Sequence, residues 1–241
     1  MAKKRFRELI LDIIFPPRCL ICGEVVEIGK GICDGCLNRI YRGLHKFPLC
    51  EICGKTEESC VCGGDMMFER CVSAFCYDDT SSPMMIELKN RHIPEVESRV
   101  AMLMKRALFD AGISPEEIDC VTEVPMSAGR IASGRVNCSA EIARLLGKTL
   151  GIPHRKPPFI QNDDYLPQHS LNSHERAENV RRGYSASVGG KISGTVLLID
   201  DIMTTGSTLK RCSELLIECG AERVICLTAA TTLKKPFPHG K

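Results

Sequence analysis

Apolar positions along this chain follow two rhythms. Residues 71–77 (CVSAFCY), 118–124 (IDCVTEV), 195–199 (TVLLI) and 223–229 (RVICLTA) are short, nearly continuous apolar runs, and they predict buried strands. Pro125 closes the second of them. Between the runs the spacing changes to three and four. Residues 82–90 and 94–110 predict helices, the second with Val96, Val100, Leu103, Met104 and Leu108 as its stripe. Residues 138–150 and 205–219 predict two more, and Leu209, Cys212, Leu215, Leu216 and Cys219 form the apolar face of the latter. Residues 151–171, rich in Pro, Asn and Asp, predict a loop with a short strand near Phe159, and 172–180 predict a short helix. Strands alternating with helices imply an α/β fold, a parallel sheet with helices on both faces.

The first nineteen residues differ from the rest. Phe6, Leu9, Ile10, Ile13 and Ile14 share one helical face, for which packing on the protein's own body is the plainer reading and binding to a membrane surface the other. The apolar run is broken by Asp12 and followed by Pro16-Pro17-Arg18, not by a small-residue cleavage site. No run of 18 apolar residues exists, so no membrane span is expected.

At 241 residues, 44% apolar and 26% charged, the composition is that of a globular protein. A formal charge of +2 gives no electrostatic argument for a nucleic-acid surface. The 15 cysteines do change the picture, because a chain of this length has no need of disulfide stapling and the count is odd. Eight form two sets: Cys19-x2-Cys22 with Cys33-x2-Cys36, and Cys50-x2-Cys53 with Cys60-x-Cys62. Glycines at 23, 35, 54, 63 and 64 flank these pairs and suit tight knuckles. Four convergent thiolates make a closed tetrahedral site, which points to two structural Zn2+ ions. Iron–sulfur ligation uses similar spacings. A redox-active CxxC should open a helix after a strand, whereas these pairs lie in irregular, Gly-containing sequence. The other seven (Cys71, Cys76, Cys120, Cys138, Cys212, Cys219, Cys226) read as small core residues. Reduced thiols without an export signal suggest the cytoplasm. Two four-thiolate zinc sites would turn the formal +2 into about −2.

The segment Val196–Leu209 carries the chemistry. A buried strand ends in Asp200 and Asp201, a loop of Thr204, Thr205, Gly206, Ser207 and Thr208 follows, and a helix begins. Ligands of open α/β sheets bind where strands end, and the N–H groups of a helix start favour an anion. Four hydroxyls and a Gly are more than a cap requires, so the loop fits a phosphate monoester and the two carboxylates fit sugar hydroxyls. Together they describe a ribose 5-phosphate. The same strand ending could hold Mg2+ in a P-loop NTPase, but the one partial match to that motif, Gly147-Lys148-Thr149, lies in a helical pattern.

This loop resembles the 5-phosphoribosyl-1-pyrophosphate (PRPP) loop of type I phosphoribosyltransferases. With Phe15-Pro16-Pro17-Arg18-Cys19, Leu88-Lys89, Val124-Pro125-Met126 and the Gln168, Arg176, Asn179, Tyr184 series, the chain resembles the ComF/ComFC family of competence-associated proteins. The resemblance implies a double zinc ribbon over residues 1–64 and a type I phosphoribosyltransferase-like domain over 65–241. It implies PRPP with its 5-phosphate on Thr204–Thr208, its ribose hydroxyls on Asp200 and Asp201, and Mg2+ on pyrophosphate and ribose oxygens. Lys89, Arg130 and Arg135 are then candidate pyrophosphate contacts, with Arg176 behind them. One stretch departs: the family commonly has Arg-Gly-aromatic-Asn-Gln where this chain has Gly134-Arg135-Val136-Asn137-Cys138. The alternative is a binding protein that senses PRPP or a nucleotide, or handles single-stranded DNA with competence partners. For DNA the sequence offers four cations in residues 1–7 and Arg176, Arg181 and Arg182, but no Trp and no aromatic-interleaved basic stripe.

Overall fold

The computed structural model describes residues 15–63, 66–163 and 182–234. The basic N-terminal stretch, Gly64, the 172–180 helix, Gln168, Arg176, Asn179 and Arg181 lie outside the described residues.

Four strands form a wholly parallel sheet: β1 (Arg70–Cys76), β2 (Cys120–Glu123), β5 (Gly194–Met203) and β6 (Ala221–Thr231), in the order β1-β6-β5-β2. All four are nearly continuously buried, as strands covered on both faces must be. The helices are α1 (Asp34–His45), α2 (Ser82–Asn90), α3 (Pro94–Asp110), α4 (Ala128–Ala132), α5 (Cys138–Leu150) and α6 (Ser207–Glu218). A separate antiparallel pair, β3 (Phe159–Gln161) and β4 (Tyr184–Ala186), lies beside the sheet.

The strand pleat sorts side chains into two cores. Leu197, Ile199, Ile225 and Leu227 join α1, α2, α3 and α5 in one. Val196, Leu198, Val224 and Cys226 join α6, Phe159 and Tyr184 in the other. The cysteine-rich stretch contributes to both, Cys19 and Cys36 to the first and Cys53 to the second. It also covers one sheet edge, because Ile52 accepts from Cys71 N–H at 2.7 Å. The chain at 153–155 covers the opposite edge, where Pro153 and Arg155 exchange hydrogen bonds with Val121. Each edge of the parallel sheet is thus partly covered by backbone from outside it.

Three sequence expectations are corrected. Helix α1 is absent from them, because the Cys pair and Gly35 hide a run of Leu37, Ile40, Tyr41 and Leu44 at helical spacing. Cys33 is its N-cap, accepting from Cys36 N–H, so the second pair of the first set opens a helix and is not a Gly-turned knuckle. Strand β5 does not stop at the carboxylates but runs to Met203, paired with Thr231 of β6.

Candidate functional site

The two cysteine sets converge as their spacing requires: within each, all four sulfurs lie within 4.8 Å of one another. Cys22 and Cys33 are 3.8 Å apart, Cys50 and Cys62 3.8 Å, and Cys53 and Cys60 3.7 Å. A tetrahedral site with Zn–S bonds of about 2.3 Å has sulfur–sulfur edges of about 3.8 Å, so both sets fit zinc. Backbone N–H groups point at the sulfurs. Burial alone would raise the Cys19 thiol, yet N–H donors led by Cys33 bring it down to about 6. Cys50 is brought down to about 7 in the same way, by the N–H groups of Cys53 and Ile52. Arg39 adds a charged donor to Cys36 Sγ at 3.4 Å. Six of the seven remaining cysteines are buried and Cys219 is half-buried, which agrees with a packing role.

At the C-terminal ends of β2, β5 and β6 a cavity of about 410 Å3 opens. Asp200, Asp201, Thr204, Thr208, Lys89, Arg130 and Arg135 all line it. Asp201 Oδ2 pairs with Lys89 Nζ at 2.9 Å. Asp200 Oδ1 accepts from the N–H of Asp201 at 2.8 Å and lies 3.5 Å from Ser139 Oγ. Burial, followed by the charge of Asp201, pushes Asp200 up to about 8. Burial would lower Lys89, but Asp201 and then Asp200 hold it above its ordinary value. In the loop, Gly206 is the N-cap of α6 at φ +79°, a left-handed conformation that a side chain would strain. Thr205 and Ser207 exchange a 2.9 Å hydroxyl hydrogen bond. The N-cap Gly206 supplies no capping side chain, and although Ser207 N–H donates to Thr205 Oγ1 at 3.4 Å, a helix start of this kind favours an anion.

Sequence reading missed two partners of this cavity. Gln161, buried at the end of β3, accepts from Ser127 N–H at 2.8 Å and donates to the Tyr184 hydroxyl at 3.0 Å. It ties the segment that carries Arg130 to the β3–β4 pair. Lys55 is the other, and a lysine two residues past a cysteine knuckle reads as ordinary surface charge. The departing stretch has a clear local use: Gly134 turns at φ +84°, Arg135 lines the cavity, and Asn137 caps α5 through Ala140 N–H. Cys138 is buried. The partial P-loop match is disposed of, because Gly147 packs inside α5 with Ile152 O 2.8 Å from where its Cβ would stand. The described histidines face elsewhere: His45 meets Ala74 O, His92 meets Glu97 and His154 meets Glu123. Among the described residues no helix is long and apolar enough to cross a membrane.

Comparison with known proteins agrees with both halves of this description. The double zinc ribbon domain matches residues 10–77 and the phosphoribosyl transferase domain matches residues 140–241. Competence protein F of Haemophilus influenzae is 25% identical over 218 residues, covering 86% of this chain and 93% of that protein. DNA utilization protein YhgH of Escherichia coli (strain K12) is 25% identical over 219 residues, covering 87% of this chain and 94% of the relative. Amidophosphoribosyltransferase of Escherichia coli (strain K12) is 30% identical over 124 residues, 52% of this chain and 22% of that enzyme. A solved structure of the allosteric regulatory enzyme of purine biosynthesis aligns at 25% identity and a TM-score of 0.39, covering 60% of this chain and 30% of that one.

Proposed function

We propose that this chain, which joins a double zinc ribbon to a phosphoribosyltransferase domain, binds PRPP in the cavity at the ends of β2, β5 and β6 and transfers its 5-phosphoribosyl group. The observation that carries this reading is the meeting in one cavity of two carboxylates, three cations, and Thr204 and Thr208 from the two ends of the helix-start loop, whose Thr205, Gly206 and Ser207 lie outside the cavity lining. In this assignment Thr204–Thr208 takes the 5-phosphate, Asp200 and Asp201 take the ribose hydroxyls, and Lys89, Arg130 and Arg135 face pyrophosphate. The boundary between the cysteine-rich module and the transferase domain falls near residue 64.

Each side chain has a task that follows from its charge. Breaking the anomeric bond develops positive charge on the sugar and negative charge on the departing pyrophosphate. Asp200 and Asp201 stabilise the first, and the three cations stabilise the second. Lys89 holds Asp201 in the free protein, so an incoming pyrophosphate competes with Asp201 for that ammonium. Oxygen donors at this position suit Mg2+, which would ride on the ligand's own oxygens and offset the charge of pyrophosphate. No described histidine lines the cavity to serve as a general base for the acceptor. A non-catalytic PRPP or nucleotide binder is therefore the second reading. The names of the relatives, competence protein and DNA utilization protein, suggest a role in DNA uptake or nucleotide supply, with single-stranded DNA or competence proteins as partners.

The test is Asp200→Asn combined with Asp201→Asn. Hydrogen bonds to charged groups are worth about 1.5–3 kcal/mol each, so PRPP affinity measured by calorimetry should fall more than a hundredfold with both zinc ions retained. Undiminished affinity would sink the assignment. Pyrophosphate release across a panel of bases separates the transferase from the binder.

A further inference from the structure

Lys55 is buried to 1% exposure beneath the end of the central sheet. Its ammonium donates to Met203 O at 3.3 Å, to Thr232 O and to Thr232 Oγ1 at 3.4 Å. Met203 is the last residue of β5, and its carbonyl belongs to the peptide group that leads into Thr204, where the hydroxyl loop begins. Thr232 lines the cavity, and its N–H donates to the same Met203 carbonyl at 3.0 Å. At its other end Lys55 is part of the second cysteine set, since its own carbonyl accepts from Cys50 N–H at 2.8 Å.

A second contact joins the same two places. A Cβ at Gly206 would stand 3.1 Å from Met66 Cε and 3.9 Å from Val61 Cγ2. Val61 lies between the ligands Cys60 and Cys62, so this segment borders the space that a side chain at Gly206 would fill. Among the described residues the first cysteine set shows no such route, and its Cys19 and Cys36 pack into the core on the opposite face of the sheet.

We propose that Lys55 is a positioning residue that couples the second four-cysteine cluster to the loop 204–208, so that this cluster, and not the first, sets how tightly the loop holds a phosphate monoester. The contacts with Met203, Thr232 and Gly206 are the route. Among the described residues the acceptors of this ammonium are two carbonyls and one hydroxyl, all on Met203, which leads into the loop, and Thr232, which lines the cavity. The inference rests on the proposed function for the identity of the ligand, but not for the existence of the coupling.

The experiment compares Lys55→Met, Val61→Ala, Cys22→Ser and Cys62→Ser in the full chain. It reads bound zinc per chain, hydrogen exchange of the amides of 204–208 against those of α2, and ribose 5-phosphate affinity by calorimetry. Lys55→Met should keep both zinc ions, exchange at least tenfold faster at 204–208 with α2 unchanged, and bind ribose 5-phosphate at least tenfold more weakly. Val61→Ala, a milder change, should shift the same amides in the same direction. Cys62→Ser should lose one zinc and loosen the loop, while Cys22→Ser should lose one zinc and leave the loop as it was. Should Lys55→Met fail to fold, Val61→Ala and the two Cys→Ser variants carry the test alone. Equal loop exchange in Cys22→Ser and Cys62→Ser, or unchanged exchange in both Lys55→Met and Val61→Ala, overturns the coupling. If the unaltered chain binds no ribose 5-phosphate, the proposed function fails, and the coupling stands or falls on exchange.

Discussion

A ligand whose hydroxyls need an ionised Asp200 must displace a proton, because burial and the charge of Asp201 place that carboxyl at about 8, against an ordinary 3.8. The sign follows from the raised value: the free protein holds the proton below pH 8 and gives it up on binding. With an ionisation near 8, about nine-tenths of the sites are protonated at pH 7 and binding there releases about 0.9 proton. Apparent affinity for ribose 5-phosphate with Mg2+ should rise about fifty-fold between pH 6 and pH 8, then level off. The ligand's own phosphate, with its second ionisation near 6, adds to the slope at the acid end, so the variant Asp200→Asn serves as the reference. The ratio of the two affinities isolates the carboxyl. Calorimetry at pH 7 in buffers of different ionisation enthalpy counts the protons directly. No proton release, or an affinity ratio independent of pH from 6 to 8, refutes the reasoning.

Two further predictions concern neighbouring residues. Lys89→Met removes the cation that helps hold Asp200 ionised, so the midpoint of the same pH profile should move above 8, and PRPP should lose more affinity than ribose 5-phosphate does. An unmoved midpoint would show that Lys89 does not act on the pair. Gly54→Ala places a Cβ 2.4 Å from Cys71 O at φ +66°, a backbone contact that cannot yield without parting the knuckle from β1. A loss of about 2–4 kcal/mol in urea unfolding, with zinc released from the second set before the first, is expected.

Much of this architecture is legible in the chain. The stripe Val96, Val100, Leu103, Met104 and Leu108 marks α3, which spans Pro94–Asp110, the predicted limits. The helix α5 keeps its predicted limits too, because Asn137 caps one end and Gly151 turns at the other. The place of the loop at 204–208, between β5 and α6, is legible because its residues are contiguous. Features built across the fold are not. Gln161 meets Ser127 and Tyr184 only after β3 and β4 have paired, and no periodicity announces that meeting. Lys55 finds its partners 148 and 177 residues away. The length of β5 was obscured by Asp200 and Asp201, two charges that a strand tolerates here because they stand at a cavity.

The strand order carries a consequence for synthesis. β1, early in the chain, pairs only with β6, and Arg70 waits for Ile225, 155 residues later. At about 5–20 residues per second the ribosome takes roughly 8–30 s to deliver that partner. Until then β1 lacks its strand partner, and the ammonium of Lys55 lacks all three of its acceptors, which belong to Met203 and Thr232. The early cysteines can take up metal long before the sheet exists. A knuckle closed by metal at that stage would cover one edge of β1 before its neighbour exists, so withholding zinc during expression should lower the yield of folded protein.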